Sequence, residues 1–519
     1  MEARATTDAL AFAGLHMRTE RGGGLEFMPR PYLREMLQDR RSQFVAVACA
    51  QSGKTVTVLG KLLHLMIYPP DGRARTAIYT FPTQSDVEDF SKARAKAMIE
   101  SSPLLSRLIA NLNAVGLKQF SNGSTIYFRG TWTERQAISI PADLLIHDEL
   151  DRSRPDTLQL YSDRTRAALD PRLYLVSTPT VPKFGISAAW ETSDQREWVW
   201  TCGVCDRDQI FAPMDRSVPW RDHLDLEAKT FRCCDCGAPV ERAWILAGEW
   251  VPMAPENTGR AGYHITGIMP PESTAERLAA SYAEAEFPEL FVQGHIGLPE
   301  VSGDKSITED MIAFGGWANI LQHRGPLFAG LDQGRKLDFM AGDGQGHVLS
   351  VQRFDDWSQV ASAMRSLHIA MIVCDLAPDT RPVQKLMQDF PGRVLMADYS
   401  LLRVQGQAWF EKRDGGRVAI NRTLGLDATR EPLVMGADGG DVFPDCEARL
   451  ETEVRAQLAA SVRTLQKNQH GQPVANWVET GPDHMRHAHL YYRVAAMQGG
   501  SVGHLVPIVK QRPDPNRMY

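Results

Sequence analysis

Residues 44–55 read FVAVACAQSGKT, and a helical pattern follows over 56–67. An apolar run, a short loop and a helix in that order constrain the fold strongly. A strand that feeds a helix in this way packs back onto a parallel sheet. Further strand-like runs follow at 76–81 (TAIYTF), 124–130 (STIYFRG), 143–149 (DLLIHDE) and 172–178 (RLYLVST), with helical stretches around 84–101 and 156–169 between them. This alternation predicts an α/β domain over residues 1–198.

The loop ends as a phosphate-binding loop ends. In the pattern G-x-x-x-x-G-K-[ST], Gly53, Lys54 and Thr55 fit, and Ala48 stands where the first glycine belongs. In such a loop the backbone of Gln51, Ser52 and Gly53 would cradle phosphates, Lys54 would reach the β- and γ-phosphates, and the Thr55 hydroxyl would face Mg²⁺. Ala48 is a small change if its backbone needs no positive φ. About 95 residues further on, LLIHDE places Asp148 and Glu149 at a strand end. There an Asp serves Mg²⁺ and a Glu the attacking water. His147 is the odd member of that apolar run. Ser177 and Thr178 close the next strand, where a γ-phosphate sensor would stand. Arg129, Arg135, Arg152 and Arg154 are candidates for the arginine that completes such a site. Gly-Lys-Thr alone is common; both motifs in this order specify an ATPase of the P-loop (RecA/ASCE-like) class.

Five of the eight cysteines lie within residues 202–236. CGVC and CCDC give two C-x₂-C pairs 27 residues apart, the spacing of a zinc ribbon over 199–250. Cys202, Cys205, Cys233 and Cys236 would fill a tetrahedral Zn²⁺ and leave no open position, which makes the metal structural. Gly237 suits the turn after the second pair. Cys234 is extra, and Cys49, Cys374 and Cys446 read as core residues. A net charge of -6 excludes a non-specific DNA coat, but not an enzyme that holds metal with carboxylates. The absence of a signal pattern and of any apolar run near 18 residues predicts a cytosolic chain with no membrane span.

A chain of 519 residues exceeds one core. Residues 251–325, rich in Pro and Gly with one helical piece around 274–287, are expected to be a linker. A second α/β pattern begins at LFAGLDQG (327–334) and occupies 326–500. It continues with strands at 347–354, 370–376 and 393–399, helices near 357–367 and 380–390, a long helical stretch at 445–467 and a last helix over about 482–497. The tail 501–519 is expected to be mobile. Asp332 and Asp375 end two of these strands, and Asp483 opens the last helix. That order resembles the ribonuclease-H fold, in which converging carboxylates hold two Mg²⁺ (or Mn²⁺) ions for phosphodiester cleavage. Each Asp alone reads as a cap or turn residue. Asp338, Asp343 and Asp379 are alternatives expected at the surface, and His484 and His487 either assist or bind metal or, as the pattern favours, form a polar helix face.

In order, ACAQSGKT, DLLIHDELDR, LYLVSTPT, the two C-x₂-C pairs, GYHITGIMPP, FVQGHIGLPE, GLDQG and GPDHMRHAHLYY resemble the large terminase subunit of tailed bacteriophages, in the branch with a zinc-ribbon insertion. The resemblance spans about residues 25–500. It implies a viral DNA-packaging motor that hydrolyses ATP to translocate double-stranded DNA into a procapsid and cuts concatemeric DNA with a two-metal endonuclease. It further implies a small terminase subunit and the portal protein as partners, a homo-oligomeric ring when assembled, and a place in the host cytoplasm, docked transiently on the portal vertex and not in the mature virion. On this basis Lys54, Thr55 and Asp148 serve ATP and Mg²⁺, Glu149 activates water, Ser177 and Thr178 couple, and Asp332, Asp375 and Asp483 form the nuclease triad. Two departures stand out. Leu33 occupies the place of an adenine-contacting glutamine, with Gln38 nearby, and His487 stands where relatives often carry a further acid. The competing reading is a DNA helicase or remodelling ATPase with a zinc ribbon and an inactive second domain. It requires an arginine-rich late motif that 326–500 does not contain.

Overall fold

The apolar runs of the first unit become strands of one sheet. They are β1 (Gln43–Ala48), β2 (Thr76–Phe81), β3 (Ile109–Ala114), β4 (Leu117–Phe120), β5 (Thr125–Gly130), β6 (Leu144–Asp148), β7 (Arg172–Ser177), β8 (Arg196–Thr201), β9 (Asp208–Ile210), β12 (Glu249–Pro252) and β13 (Ala261–Ile265), with β10 (Leu224–Asp225) and β11 (Thr230–Phe231) paired apart from it. The computed structural model describes residues 2–18, 29–132, 137, 140–301, 307–315, 323–400, 402, 409–435, 440–467 and 473–499. The chain divides into two units, Met1–Val301 and Ser302–Tyr519. The expected mobile tail, 501–519, lies outside the described residues.

The sheet order is β12-β8-β13-β1-β7-β6-β2-β5-β4-β3, with β9 on β8. β8, β13, β1, β7, β6, β2 and β5 run parallel, and the outer strands are antiparallel. Central parallel strands are covered on both faces, which is why β1 and β6 read as continuous apolar runs and are buried along almost their whole length.

Residues 251–325 are not the expected linker. Their first part supplies β13, which pairs in parallel with β1 from Phe44↔Ala261 to Ala48↔Ile265. The core of the first unit extends to Leu298. A five-residue strand flanked by glycine and proline carries little local signal; it is fixed by its distant neighbour. The boundaries expected for a zinc ribbon shift for a similar reason, because β12 is the edge strand of the main sheet and β8 lies next to it. Trp198, Trp200, Phe211 and Trp220 share one core with β1.

The second unit holds β14 (Leu327–Gln333), β15 (Leu337–Gly342), β16 (Val348–Phe354), β17 (Ile369–Asp375), β18 (Val394–Tyr399), β19 (Phe410–Arg413) and β20 (Arg417–Ile420) in the order β16-β15-β14-β17-β18-β20-β19. β14, β15 and β16 form an antiparallel meander, and β17 and β18 add in parallel. This is the ribonuclease-H-like arrangement, not a second parallel ATPase sheet. Apolar clusters cover the sheet's two faces. Gly330 lets the last helix, His484–Gln498, lie against β14, since a Cβ there would stand 2.1 Å from the Ala488 carbonyl oxygen. The long helical stretch expected at 445–467 ends early. A helix over Ala448–Ala459 gives way to β21 (Ser461–Lys467), which pairs with β22 (Pro473–Glu479). Residues 461–467, SVRTLQK, show no strand alternation, their two apolar residues Val462 and Leu465 standing three apart, and pairing across the hairpin outweighs their helical propensity. Among the described residues no helix is long and apolar enough to cross a membrane.

Candidate nucleotide and metal sites

β1, β7 and β6 are parallel neighbours, so the loop after each opens at the same sheet edge. The loop after β1 turns into the helix Lys54–Ile67 through Gly53, whose φ is +92°. A side chain there would meet Leu33 Cδ1 at 2.8 Å as well as strain the backbone. Ala48 is the last residue of β1, paired with Ile265 and without positive φ, so alanine fits where the motif's first glycine would stand. Lys54 is buried. Its Nζ donates to Thr178 Oγ1 at 3.0 Å and lies 3.7 Å from Glu149 Oε1.

Asp148 ends β6 fully buried, accepting from Tyr79 Oη at 2.8 Å and from the Glu149 N–H at 3.0 Å, with a further side-chain hydrogen bond to Thr55. Burial and the Glu149 charge push it up to about 6, against the pull of Lys54. Glu149 has φ +54°, a left-handed conformation that a non-glycine residue adopts at a cost of order 1–3 kcal/mol, and such strain gathers at functional sites. His147 is buried with its Nδ1 2.6 Å from Thr80 Oγ1, and burial drags it down to about 4, which keeps it neutral. Gln51 is exposed with φ +56°; Ser52 is buried, its carbonyl accepting from Tyr32 Oη at 3.0 Å. The Ser52 Oγ has no protein partner among the described residues. That orphaned hydroxyl, the Lys54 ammonium and the Thr55–Asp148 pair fit a phosphate with its divalent cation.

Gln38 donates to Asp8 Oδ1 at 3.1 Å, while Leu33 packs beside Gly53. Among the candidate arginines, Arg129 donates to the carbonyls of Gly116 and Phe128, Arg154 to that of Trp132, and Arg152 is exposed; Arg135 lies outside the described residues. Tyr79 and Asp151 belong to the same neighbourhood, and sequence reasoning missed both. Asp151 carried a signal, as the fourth residue of DELD. Ser177 Oγ accepts from the Asp151 N–H at 3.2 Å and donates to the Thr178 carbonyl at 3.0 Å.

The four expected cysteines converge. Their sulfurs all lie within 4.8 Å of one another, with Cys202–Cys236 at 3.8 Å and Cys205–Cys233 at 3.7 Å. Four thiolates at about 2.3 Å from zinc stand about 3.8 Å apart along each edge of a tetrahedron, and a disulfide would need about 2.05 Å. The residues therefore fit zinc. Each pair is followed by a left-handed residue, Asp206 (φ +58°) and Gly237 (φ +72°), whose N–H returns to the carbonyl of the first cysteine at 2.9 Å. Cys234 is exposed, 3.0 Å from Gln209 Oε1.

In the second unit β14 and β17 are parallel neighbours in the register Leu331↔Cys374, which puts Asp332 and Asp375 side by side one residue on. Burial and the Asp332 charge push Asp375 up to about 6. A cation between them would relieve both penalties, so this pair fits a divalent metal. Asp483 precedes the last helix but turns to other partners: Ser461 Oγ at 2.6 Å, His487 Nε2 at 3.2 Å and Arg422 Nη2 at 3.7 Å. Burial would raise it, and the His487 and Ser461 hydrogen bonds hold it below the ordinary value. Among the described residues the tight ligand cluster here is Glu479, Asp483 and His487, not the three aspartates. Arg422 shares it, 3.0 Å from Glu479 Oε1.

The histidines are not a polar face. His484 Nδ1 is 2.8 Å from Asp332 Oδ2, which raises the imidazole, and His487 is buried with its Nδ1 hydrogen-bonded to Tyr399 Oη. The helix that carries them is buried from Met485 to Ala496. Nor are all the alternative aspartates at the surface. Asp338 is buried opposite Asp332 and 2.8 Å from Arg353 Nε, and Asp343 is buried against His347; Asp379 is a helix cap. Glu479 and Tyr399 were missed; Tyr399 ends β18 of the main sheet and Glu479 ends the separate hairpin strand β22, and only folding brings both near the last helix.

Residues 21–250 match the family model described as phage terminase large subunit gpA, ATPase domain. That stretch belongs to this terminase family. The fold of a solved terminase extends over the second unit as well: the HK97 bacteriophage large terminase aligns with 95% of this chain and 99% of its own, at 13% identity and a TM-score of 0.52. A large terminase from a thermophilic bacteriophage aligns with 91% of this chain and 98% of its own at 11% identity, with a TM-score of 0.34. The nuclease domain of the large terminase subunit gp2 of bacterial virus Sf6 aligns with 33% of this chain and 90% of its own at 11% identity, with a TM-score of 0.24. No curated protein matches the sequence.

Proposed function

We propose that the chain is the ATP-driven motor and the nuclease of a phage DNA-packaging machine. The observation that carries the reading is the meeting of Lys54, Thr178 and Glu149 at the ends of adjacent parallel strands, with Asp148 and Thr55 paired beside them. ATP binds with its phosphates on the backbone of Gln51, Ser52 and Gly53. Lys54 leaves Thr178 for the β- and γ-phosphates, and Glu149 orients and deprotonates the attacking water. Ser177 and Thr178 sense the change and couple it to movement of double-stranded DNA into the procapsid. Thr55 and Asp148 would hold Mg²⁺ at the nucleotide. In the second unit Asp332 and Asp375, with Asp483, Glu479 and His487 alongside, would hold Mg²⁺ or Mn²⁺ for cutting concatemeric DNA. Bound divalent metal supplies charge neutralisation at the phosphate in both places. Cys202, Cys205, Cys233 and Cys236 would hold zinc in a structural role. The partners are double-stranded DNA, a small terminase subunit and a portal protein, with the chain assembled as a ring on the portal vertex in the host cytoplasm.

Lys54→Ala tests this. It is expected to abolish ATP hydrolysis and leave DNA cutting largely intact, since the two sites lie in separate units. ATP turnover retained by the variant would sink the nucleotide-site assignment.

A further inference from the structure

Asp151 lies two residues beyond Glu149, in the short turn Leu150–Arg152, and is 1% exposed. Its carboxylate accepts three hydrogen bonds from two other segments. Oδ2 takes the Thr180 N–H and the Thr180 hydroxyl, both at 2.8 Å, and Oδ1 takes the Ile186 N–H at 2.7 Å. Its own N–H donates to Ser177 Oγ at 3.2 Å. Gly185 makes room for it, since a Cβ at that position would stand 2.3 Å from Asp151 Oδ1.

These contacts close a ring. On one side Lys54 joins Thr178 to Glu149. On the other, Asp151 joins the turn of Glu149 to Thr180, two residues after Thr178. The Lys54 side must open when the ammonium moves to a phosphate. The Asp151 side is sealed from ligand and has no reason to open. A buried carboxylate is an expensive way to hold a fold, because burial alone penalises its charge, and here burial pushes it up to about 7. An apolar side chain would leave the Thr180 and Ile186 N–H groups without their acceptor, so the aspartate is held here by what it ties together rather than by the space it fills.

We propose that Asp151 is the positioning residue of the hydrolysis step: it locks the turn that carries Glu149 to the 177–180 turn, so that the two move as one when Lys54 engages nucleotide. This rests on the ATP reading above.

The test compares wild-type full-length protein, Asp151→Asn and Thr180→Val, with turnover expressed per nucleotide-binding site titrated with a fluorescent ATP analogue, so that unfolded protein does not count. Asparagine turns a donor toward donors. The expected result is a kcat lower by about ten- to a hundredfold with nucleotide affinity within about threefold, because a misplacement near 1 Å costs up to about a hundredfold. Thr180→Val, which removes only the hydroxyl donor, should lower kcat in the same direction by less. The double variant should be no worse than Asp151→Asn, as one shared contact requires. Unchanged kcat per site in Asp151→Asn, a loss confined to affinity, or additive losses in the double variant would each overturn the proposal while leaving the ATP reading in place. A wild-type protein that neither binds nor hydrolyses ATP would overturn the ATP reading and this inference together.

Discussion

Lys61 carries an ammonium into the core of the first unit, about two turns along the helix from Lys54. Its Nζ donates to the Met36 carbonyl at 3.2 Å and the Leu37 carbonyl at 3.4 Å, and also to that of Asp39, at the end of the helix Tyr32–Gln38 where carbonyls lack intrahelical partners. The rings of Phe44 and Tyr174 lie 5.3 and 5.6 Å away. Burial drags the ammonium down to about 7, with the Asp39 charge opposing. An unfolded lysine titrates near about 10.4. Between these values the unfolded chain holds a proton that the folded chain has lost, so the folded state gains stability as pH rises through that window. Denaturant unfolding of the first unit, followed by tryptophan fluorescence at pH 7 and pH 9, should show this gain, and Lys61→Met should reduce it by about 2 kcal/mol. The same pH dependence in both proteins would contradict the assignment. At this scale the sequence was legible where a motif set the position of a side chain, as at Lys54, Asp148 and the four cysteines, which the structure places at the expected loop, strand end and turns. It was silent where burial alone defined the role, as at Lys61, and it misread His487, whose apparent polar face is a buried contact with Tyr399 and Asp483.

The elements divide by how local their causes are. β1, β2, β6 and β7 were legible because a strand buried on both faces must be apolar throughout. β13 and β21 were not, since each owes its conformation to a partner far away or across a hairpin. Asp332 and Asp375 could be placed because each ends a legible strand, whereas Glu479 arrives with the unforeseen β22 and so escaped notice. The cysteine turns are the clearest case of local spacing fixing local geometry. Metal analysis should find about one zinc per chain. Cys236→Ser should lower that content and the thermal stability of the first unit, because the ribbon shares its core with β8 and β12. A well-folded, zinc-free wild-type protein would contradict the ribbon.

On the scale of the whole molecule, the chain joins two sheets of different design. One is a parallel sheet with the candidate nucleotide-site residues at the ends of β1, β6 and β7; the other is a meander-plus-parallel sheet with carboxylates at the ends of β14 and β17. The order of motifs along the chain revealed both sheets, but the division between them was misplaced, because residues 251–301 look like connection and are structure. On the proposed function this one chain both hydrolyses ATP and cuts DNA, at separate sites. The most direct measurement is plasmid digestion with Mg²⁺ or Mn²⁺ by wild-type protein and by Asp375→Asn, with ATP hydrolysis followed on the same preparations. Wild type is expected to cut, Asp375→Asn is not, and both should hydrolyse ATP alike. Equal cutting by the two proteins, or loss of ATP hydrolysis in Asp375→Asn, would contradict the proposed function.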